Sequence, residues 1–363
     1  MSELRQNVLT GDWVVFAKGR AQRPHEFVQP PRYVDPIPPY HATCPFCLGN
    51  EGDGRDEVLR LAGPEAGDRW QVRVVRNKFP AFAVEGERIR RTVGLYRQLT
   101  GVGYHEVIVD HPRHDMVPAR MSVAEIAWIL EAYRQRYVQL RQDPRVEAII
   151  LFKNHGEAAG SSLVHPHSQL TAVPIVPYQF RVHIEGAVRY LDSTGECIFC
   201  RMLAEELAAG DRLVCETEHF VAFCPYAALV PFHILILPRR HASAYDDITP
   251  AELPDLAKIL KQVLWALHHA LNNPDYNYTV RSVPTDDAAT DYFHWYLSVM
   301  PRTSKIAGFE LGSGMFINTV MPEESAAFLR AELAQNPIPE AIADIYRRVD
   351  FRAQTPQVDT AQA

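Results

Sequence analysis

Two histidines and a glutamine stand at alternate positions near the middle of the chain, in His165-Pro166-His167-Ser168-Gln169. Because side chains alternate between the two faces of a β-strand, an extended backbone here would place all three polar groups on one face. An imidazole in such a place can act as a nucleophile, as an acid or base, or as a metal ligand. The motif alone is weak evidence for any of these, and the rest of the chain has to decide between them.

Four of the six cysteines form two Cys-x-x-Cys pairs, one in each half of the chain. In a long chain without an export signal, such pairs favour metal sites or redox motifs over disulfides, and the first pair lacks the βαβ context of a thioredoxin-like site. Zinc commonly takes two thiolates from such a pair and two imidazoles from distant histidines. We therefore predict two zinc ions per chain, with the ligands Cys44, Cys47, His114 and His165 for the first and Cys197, Cys200, His241 and His294 for the second.

The composition is that of a globular protein: of 363 residues, 47% are hydrophobic and 22% are charged, and the formal net charge is -7. This length suffices for two domains, or one large one, with a sizeable core. The negative charge and the lack of a Lys/Arg cluster speak against a zinc-stabilised nucleic-acid-binding module. No apolar run is long enough to span a membrane and Met1–Arg5 shows no signal-peptide pattern, so the expected location is the cytoplasm.

An internal repeat with a constant offset divides the chain. His241 follows His114 by 127 residues, and the same interval separates four further pairs, namely Ser122 and Thr249, Glu125 and Glu252, His167 and His294, and Pro174 and Pro301. Five matches at one offset indicate two halves of related fold. Only the first half has the full His-Pro-His-x-Gln set, because Tyr292 and Tyr296 stand at the matching positions, so we expect one catalytic and one structural half.

The repeat gives the domain boundaries. We predict an N-terminal catalytic half at 1–178, a C-terminal half at 179–350, and a polar, disordered tail at 351–363. Capping boxes that begin at Ser122 and Thr249 each predict a long helix.

The repeat leaves the fourth ligand of the second zinc set open. His294 aligns with His167 and not with the proposed ligand His165, so His219 and His233 remain alternatives. We interpret His105 and His233 as hydrogen-bonded histidines of the sheet.

The segment before the histidines is rich in small residues: Asn154-His155-Gly156-Glu157-Ala158-Ala159-Gly160-Ser161-Ser162. A strand that ends in asparagine and continues through such a loop can bring backbone N–H groups close to a phosphate. Arg20, Arg23 and Asn77, taken one at a time, are ordinary surface residues.

The loop and the histidine motif, taken together, resemble the signature of a known family. Asn154-x-Gly156-x-x-x-Gly160-Ser-Ser-x-x-His165-Pro-His167-Ser-Gln169 is similar to the signature of the galactose-1-phosphate uridylyltransferases, the transferase branch of the histidine-triad superfamily. The resemblance covers nearly the whole chain. It implies an α+β fold of two histidine-triad-like halves that share a mainly antiparallel β-sheet flanked by helices, and it implies a homodimer.

The resemblance also implies a mechanism of ping-pong transfer. His167 would attack the α-phosphorus of UDP-glucose and release glucose 1-phosphate, and galactose 1-phosphate would then take the uridylyl group from the histidine. Gln169 would hydrogen-bond the phosphoryl oxygens, and the zinc that holds His165 would fix the strand of His167. The implied substrate-binding residues are Arg20, Arg23, Asn77, Asn154, Gly160, Ser161 and Glu310.

Three departures from the best-known bacterial members support an alternative substrate. Ser161 stands where some of these transferases have cysteine, Ser168 replaces a common glycine, and the second Cys-x-x-Cys pair is complete. These features resemble the two-zinc branch that includes the ADP-glucose phosphorylases. The alternative is therefore an adenylyl-His167 formed from an ADP-sugar, with phosphate as acceptor. A nucleotide hydrolase is the third interpretation, and Gln169 in place of a third histidine argues against it by family analogy.

Overall fold

The computed structural model describes residues 2–17, 24–30, 36–63, 69–287 and 289–339. In chain order, the strands of these residues are β1 (Glu3–Gln6), β2 (Trp13–Phe16), β3 (Glu57–Leu61), β4 (Val72–Arg76), β5 (Arg90–Val93), β6 (Tyr96–Leu99), β7 (Tyr104–Val109), β8 (Ala148–His155), β9 (His167–Val173), β10 (Leu213–Glu216), β11 (Phe220–Phe223), β12 (Ile234–Pro238), β13 (Tyr276–Arg281), β14 (Tyr296–Pro301) and β15 (Phe316–Asn318). The α-helices are α1 (Val123–Leu140), α2 (Tyr178–Thr194), α3 (Ile198–Ala209), α4 (Glu252–Leu271), α5 (Gly308–Ser313) and α6 (Pro322–Gln335).

One large antiparallel sheet carries the internal repeat. Its strand order is β10-β11-β12-β14-β13-β8-β9-β7-β4-β3, so each half contributes five strands and the halves meet where β13 pairs with β8. The order on one side of this junction mirrors the order on the other. This arrangement confirms the predicted α+β fold of two related halves sharing a mainly antiparallel sheet flanked by helices.

Two long helices, α1 and α4, pack against each other and against one face of this sheet. Both predicted capping boxes are present. The Ser122 hydroxyl accepts from the Glu125 N–H and the Glu125 carboxylate accepts from the Ser122 N–H, and Thr249 and Glu252 exchange the same two hydrogen bonds. These bonds satisfy N–H groups that the first helical turn leaves without partners. The helix α1 begins directly after Ser122, as its capping box predicts, whereas α4 begins at Glu252, two residues later than its capping box predicts, after a turn at residues 250–251.

The opposite face of the sheet is covered differently in the two halves. In the second half, α2 and α3 pack on it around residues such as Ala187 and Phe199. In the first half, Pro45 and Phe46 of the Cys-x-x-Cys turn and residues 50–57 border a cavity instead. The alternation along β9 sends Leu170 into the core beneath α1 and turns His167 and Gln169 toward this open side.

Two smaller sheets complete the architecture. β1, β2 and β15 form one, and the hairpin of β5 and β6 forms the other. In the described part of the chain, no helix is both long and apolar enough to cross a membrane.

Some expectations from sequence differ from the structure or lie outside it. β9 begins at His167, so the prediction that His165 shares its strand face is wrong, because His165 lies before the strand and turns toward two cysteines. The division into residues 1–178 and 179–350 stays a prediction, and residues 351–363 lie outside the described part of the chain.

Candidate active site

His167, the first residue of β9, is buried at the bottom of an open cavity. Its Nδ1 lies 2.9 Å from the carbonyl oxygen of His165. Because a carbonyl only accepts, Nδ1 carries the proton in this hydrogen bond and Nε2 keeps a free lone pair. Burial lowers the pKa of His167 below its ordinary value, so the imidazole is neutral near pH 7. A neutral imidazole with a free Nε2 is chemically suited to attack phosphorus.

The space around His167 consists of two adjoining cavities. One has a volume of about 340 Å³ and is also lined by Asn154 and Ser161. The other has a volume of about 650 Å³ and is also lined by Asn77 and Gln169. His167 lines both cavities. The site can therefore accommodate two groups, one on each side of the imidazole.

The side chain of Gln169 is oriented by His105. The Ala81 N–H donates to His105 Nδ1 over 3.1 Å, which leaves the proton on Nε2, and Nε2 donates to Gln169 Oε1 over 2.8 Å. Because its oxygen is engaged, the Gln169 amide can present its two N–H donors to a ligand. The Nδ2 atom of Asn77 lies 3.2 Å from the same His105 nitrogen. His105 is a hydrogen-bonded histidine of the sheet, as the sequence predicts, but no sequence signal places it between the two candidate substrate residues Asn77 and Gln169.

The loop rich in small residues leads from β8 to the cavity of His167. Asn154 is held by Asn277 of the neighbouring strand, whose Nδ2 donates to Asn154 Oδ1 over 2.7 Å. Gly160 has a φ of +86°, a conformation that glycine adopts without strain, and Ser161 follows it into the cavity. The N–H groups of residues 158–161 already donate within the protein, so the expectation that the amides of this loop bind a phosphate is wrong. The side chains of Asn154 and Ser161 line the cavity, and the Ser161 hydroxyl donates to the Leu163 carbonyl over 2.9 Å.

Not every implied substrate residue lies near His167. Glu310 is on α5, where its carboxylate accepts from the Ala307 N–H over 2.9 Å, and it lines neither of the two cavities. Gly160 shapes the loop and is not among the residues that line them. Arg20 and Arg23 lie outside the described residues.

The first predicted zinc set is assembled beside this site. Its four donor atoms, from Cys44, Cys47, His114 and His165, lie within 4.8 Å of one another. His165 Nδ1 is 3.7 Å from Cys44 Sγ, 3.6 Å from Cys47 Sγ and 3.3 Å from His114 Nδ1. Zn–S bonds of about 2.3 Å and Zn–N bonds of about 2.0 Å imply tetrahedron edges of roughly 3.3 to 3.8 Å, so this set fits zinc.

The surroundings of His165 also suit a zinc ligand. Its Nε2 lies 2.7 Å from the carbonyl oxygen of His111 and donates to it, which leaves Nδ1 free for the metal. Phe46, between the two cysteines, contacts the rings of both His165 and His167, with centroids 5.9 and 5.8 Å away. The zinc set and the candidate nucleophile therefore belong to one packed unit.

The second zinc set is also assembled, and the structure decides its fourth ligand. The donor atoms of Cys197, Cys200, His241 and His294 lie within 4.8 Å of one another. His241 Nε2 donates to a backbone carbonyl over 2.9 Å, which leaves its Nδ1 free, as in the first set. The alternative His233 instead bonds to Ser298 over 2.9 Å, and neither it nor His219 belongs to the group. Both predicted Cys₂His₂ groups can therefore hold zinc.

Comparison with known protein families agrees with this geometry. Residues 1–177 match the family model of the galactose-1-phosphate uridyl transferase N-terminal domain, and residues 183–341 match the model of its C-terminal domain. The chain belongs to the galactose-1-phosphate uridylyltransferase family. The family indicates that the protein is a nucleotidyltransferase, as the sequence predicts.

Individual relatives of this family carry two different names. An ADP-glucose phosphorylase from Arabidopsis thaliana is 34% identical over 90% of this chain and 92% of its own length. A galactose-1-phosphate uridylyltransferase from Thermotoga maritima is 28% identical over 91% of this chain and 98% of its own. Among solved structures, the Arabidopsis ADP-glucose phosphorylase with bound ADP-glucose superposes with a TM-score of 0.76 at 32% identity, covering 91% of this chain and 99% of that one. A uridylyltransferase superposes with a TM-score of 0.70 at 26% identity, covering 92% and 99%.

Proposed function

We propose that this protein moves a nucleoside monophosphate from a nucleotide sugar to a phosphate-bearing acceptor through a covalent intermediate on His167. The observation that carries the proposal is the imidazole itself. Its Nδ1 proton is held by the His165 carbonyl, and its Nε2 faces a space formed by two cavities. Such an arrangement divides one difficult displacement at phosphorus into two easier ones.

In the first step, Nε2 of His167 attacks the α-phosphorus of the nucleotide sugar and forms an N–P bond. The bond from that phosphorus to the oxygen that bridges it to the β-phosphorus breaks, and the hexose 1-phosphate leaves with the electron pair. In the second step, an acceptor phosphate oxygen attacks the same phosphorus, the N–P bond breaks, and the neutral imidazole is restored. No oxidant or reductant is needed.

The neighbouring residues supply hydrogen bonds and charge for these steps. We assign Gln169 to the phosphoryl oxygens, because its amide adds donors without adding a charge. Asn154 and Ser161 are assigned to the phosphates in the smaller cavity, and Asn77 to the nucleotide in the larger one. When bound, zinc holds His165 and thereby the backbone before β9 in a fixed position.

Three further assignments rest on the family resemblance alone. They are Arg20 and Arg23 as phosphate ligands and Glu310 as a hexose ligand. The homodimer and the cytoplasmic location also stay predictions.

Two donors are compatible with this chemistry, and we put ADP-glucose first, with inorganic phosphate as acceptor. In its favour are the 34% identity to an ADP-glucose phosphorylase, a related structure with bound ADP-glucose, and the complete second Cys-x-x-Cys pair. UDP-glucose with galactose 1-phosphate, the pair that the resemblance of the sequence implies first, is the second candidate. The two family models and the Thermotoga maritima relative favour it.

The intact-protein mass after incubation with either nucleotide sugar, without acceptor, tests both parts of the proposal. We expect a gain of one AMP from ADP-glucose, lost on adding phosphate. A gain of one UMP from UDP-glucose, lost on adding galactose 1-phosphate, would instead establish the second candidate. The variant His167→Ala should form neither adduct while keeping the melting temperature and the zinc content of the native protein. An adduct of equal amount on that variant would contradict the role of His167.

A further inference from the structure

A buried ion pair lies on the far side of β9 from the candidate nucleophile. Lys153 of β8 is 1% exposed, and its Nζ contacts the carboxylate of Asp110, which is also 1% exposed. The Lys153 ammonium and the Asp110 carboxylate meet on the side of the sheet that faces α1, whereas the imidazole of His167 faces the cavity on the other side. Lys153 also borders the smaller of the two cavities, and Asp110 borders neither. The catalytic steps proposed above make no direct use of either charge.

The residues of this pair make hydrogen bonds to three consecutive residues around the nucleophile, through the backbone of Asp110 to Pro166 and through the two charged side chains to His167 and Ser168. The Asp110 N–H donates to the Pro166 carbonyl over 3.0 Å, and Lys153 Nζ donates to the His167 carbonyl over 2.9 Å. The Ser168 hydroxyl lies 3.0 Å from each carboxylate oxygen of Asp110 and donates to the carboxylate. The backbone that carries His167 is thus held before, at and after the imidazole.

The hydrogen bonds continue from Ser168 into α1 and into the second half of the sheet. The Tyr133 hydroxyl donates to Ser168 Oγ, and it lies 2.7 Å from the Tyr278 hydroxyl. Burial raises the pKa of both tyrosines above its ordinary value, so both stay protonated. The three hydroxyl groups can all donate in one direction: Tyr278 donates to Tyr133, Tyr133 donates to Ser168, and Ser168 donates to the Asp110 carboxylate, whose charge Lys153 balances. A buried network with every member satisfied is rigid.

We propose that Lys153 and Asp110 are positioning residues for the nucleotidyl transfer, which they influence by fixing the backbone of His167. The inference rests on the proposed function. The orientation of the imidazole depends on the His165 carbonyl, which accepts its Nδ1 proton, and that carbonyl lies in the same short segment. A shift of that segment by a fraction of an ångström would move Nε2 out of line with the phosphorus.

General stability is a weaker explanation for this pair. Replacing a buried ion pair by apolar residues of similar volume is often neutral for stability or improves it, so burial alone does not require charges here. The hydrogen bonds of the pair are also specific, because they converge on residues 166–168, and Asp110 lines neither of the two cavities beside His167. A positioning role predicts a loss of rate without a loss of substrate affinity.

The test is the double variant Lys153→Met/Asp110→Asn, which removes both charges and leaves no unpaired one. We expect adduct formation on His167 to slow by about tenfold to a hundredfold, with the KM for the nucleotide sugar, the zinc content and the cooperative melting of the native protein retained. The matched control is Glu106→Gln/Arg136→Met. Arg136 donates to Glu106 over 2.7 Å, and this pair is also buried between β7 and α1 but bonds to none of residues 165–168. The control should form the adduct within about twofold of the native rate.

Ser168→Ala provides a second variant that keeps the ion pair and removes only the link from Asp110 to residue 168. We expect it to slow adduct formation by a smaller factor than the double variant does. An unchanged rate in the folded double variant, or an equal loss of rate in the control, would overturn the proposal. If the double variant does not fold, an unchanged rate in Ser168→Ala overturns it. Absence of any adduct on the native protein would instead refute the proposed function, so the two failures are distinguishable.

Discussion

At the scale of single residues, the orientation of Gln169 depends on a contact that lies outside the local motifs of the candidate site. Two histidines two apart, a glutamine two further on and the Cys-x-x-Cys pairs are local patterns. His105 was recognised only as a sheet histidine, because its contact with Gln169 joins β7 to β9 and depends on the strand register, in which Val107 pairs with Gln169. Its hydrogen bond fixes which end of the Gln169 amide faces the cavity.

The substitution His105→Phe should therefore lower activity without unfolding the protein. Gln169 would lose the donor that holds its oxygen and could rotate, so we expect kcat/KM to fall by about tenfold, equivalent to about 1.4 kcal/mol, the usual range for one orienting hydrogen bond. Steady-state kinetics and thermal melting measure the two effects. The matched control is His233→Phe, because His233 is a buried histidine that bonds to Ser298 in the second half. Equal loss of activity in both variants would contradict the role of His105.

At the scale of secondary-structure elements, the sequence was informative where a local signal marks the boundary. Capping boxes predict α1 and α4. α2 begins after Pro177 without a side-chain cap, and α3 includes Cys200 of the second pair, so neither has such a signal. Glu310 likewise could not be placed from sequence, because only the tertiary fold determines how far α5 lies from β9.

The first zinc set connects the Cys44–Cys47 turn to the segment just before β9. Loss of the zinc ion should therefore lower stability before it affects the chemistry. Cys47 is fully buried, and its Sγ lies 3.5 Å from His114 Nδ1. We expect Cys47→Ser to lose one zinc per chain and to lower the free energy of unfolding by several kcal/mol, because zinc binding is coupled to folding.

Metal analysis and thermal melting of the purified variant check this expectation. The control is Cys224→Ser, since Cys224 is equally buried but belongs to neither Cys₂His₂ group. It should keep both zinc ions, whatever its melting temperature. Normal melting of Cys47→Ser together with complete loss of transfer would mean that this zinc acts in the chemistry.

At the scale of the whole molecule, the two halves share a fold but differ at the positions that match His167 and Gln169. A cavity of about 190 Å³ lies on the second half, and Tyr296, at the position that matches Gln169, lines it. Its hydroxyl lies 3.0 Å from Nδ1 of His183 of α2. His294, which matches His167, is in the second zinc set instead of facing a cavity as a nucleophile. The expectation that only one half carries out chemistry follows from these differences and stays a prediction.

Metal content and adduct formation, measured together, test this division between the halves. We expect the native protein to bind two zinc ions per chain and Cys200→Ser to bind one. Cys200 Sγ lies 3.3 Å from His241 Nδ1 in the second zinc set. This set is distant from His167 in the sheet: His294 precedes β14, and two strands, β13 and β8, lie between β14 and β9. The folded Cys200→Ser variant should therefore still form the nucleotidyl adduct at a rate within about twofold of the native one, because distant sites without shared contacts act independently. One zinc in the native protein would mean that the second set is not a zinc site. Two zinc ions in the native protein, with loss of the adduct in folded Cys200→Ser, would show instead that the second half takes part in the reaction.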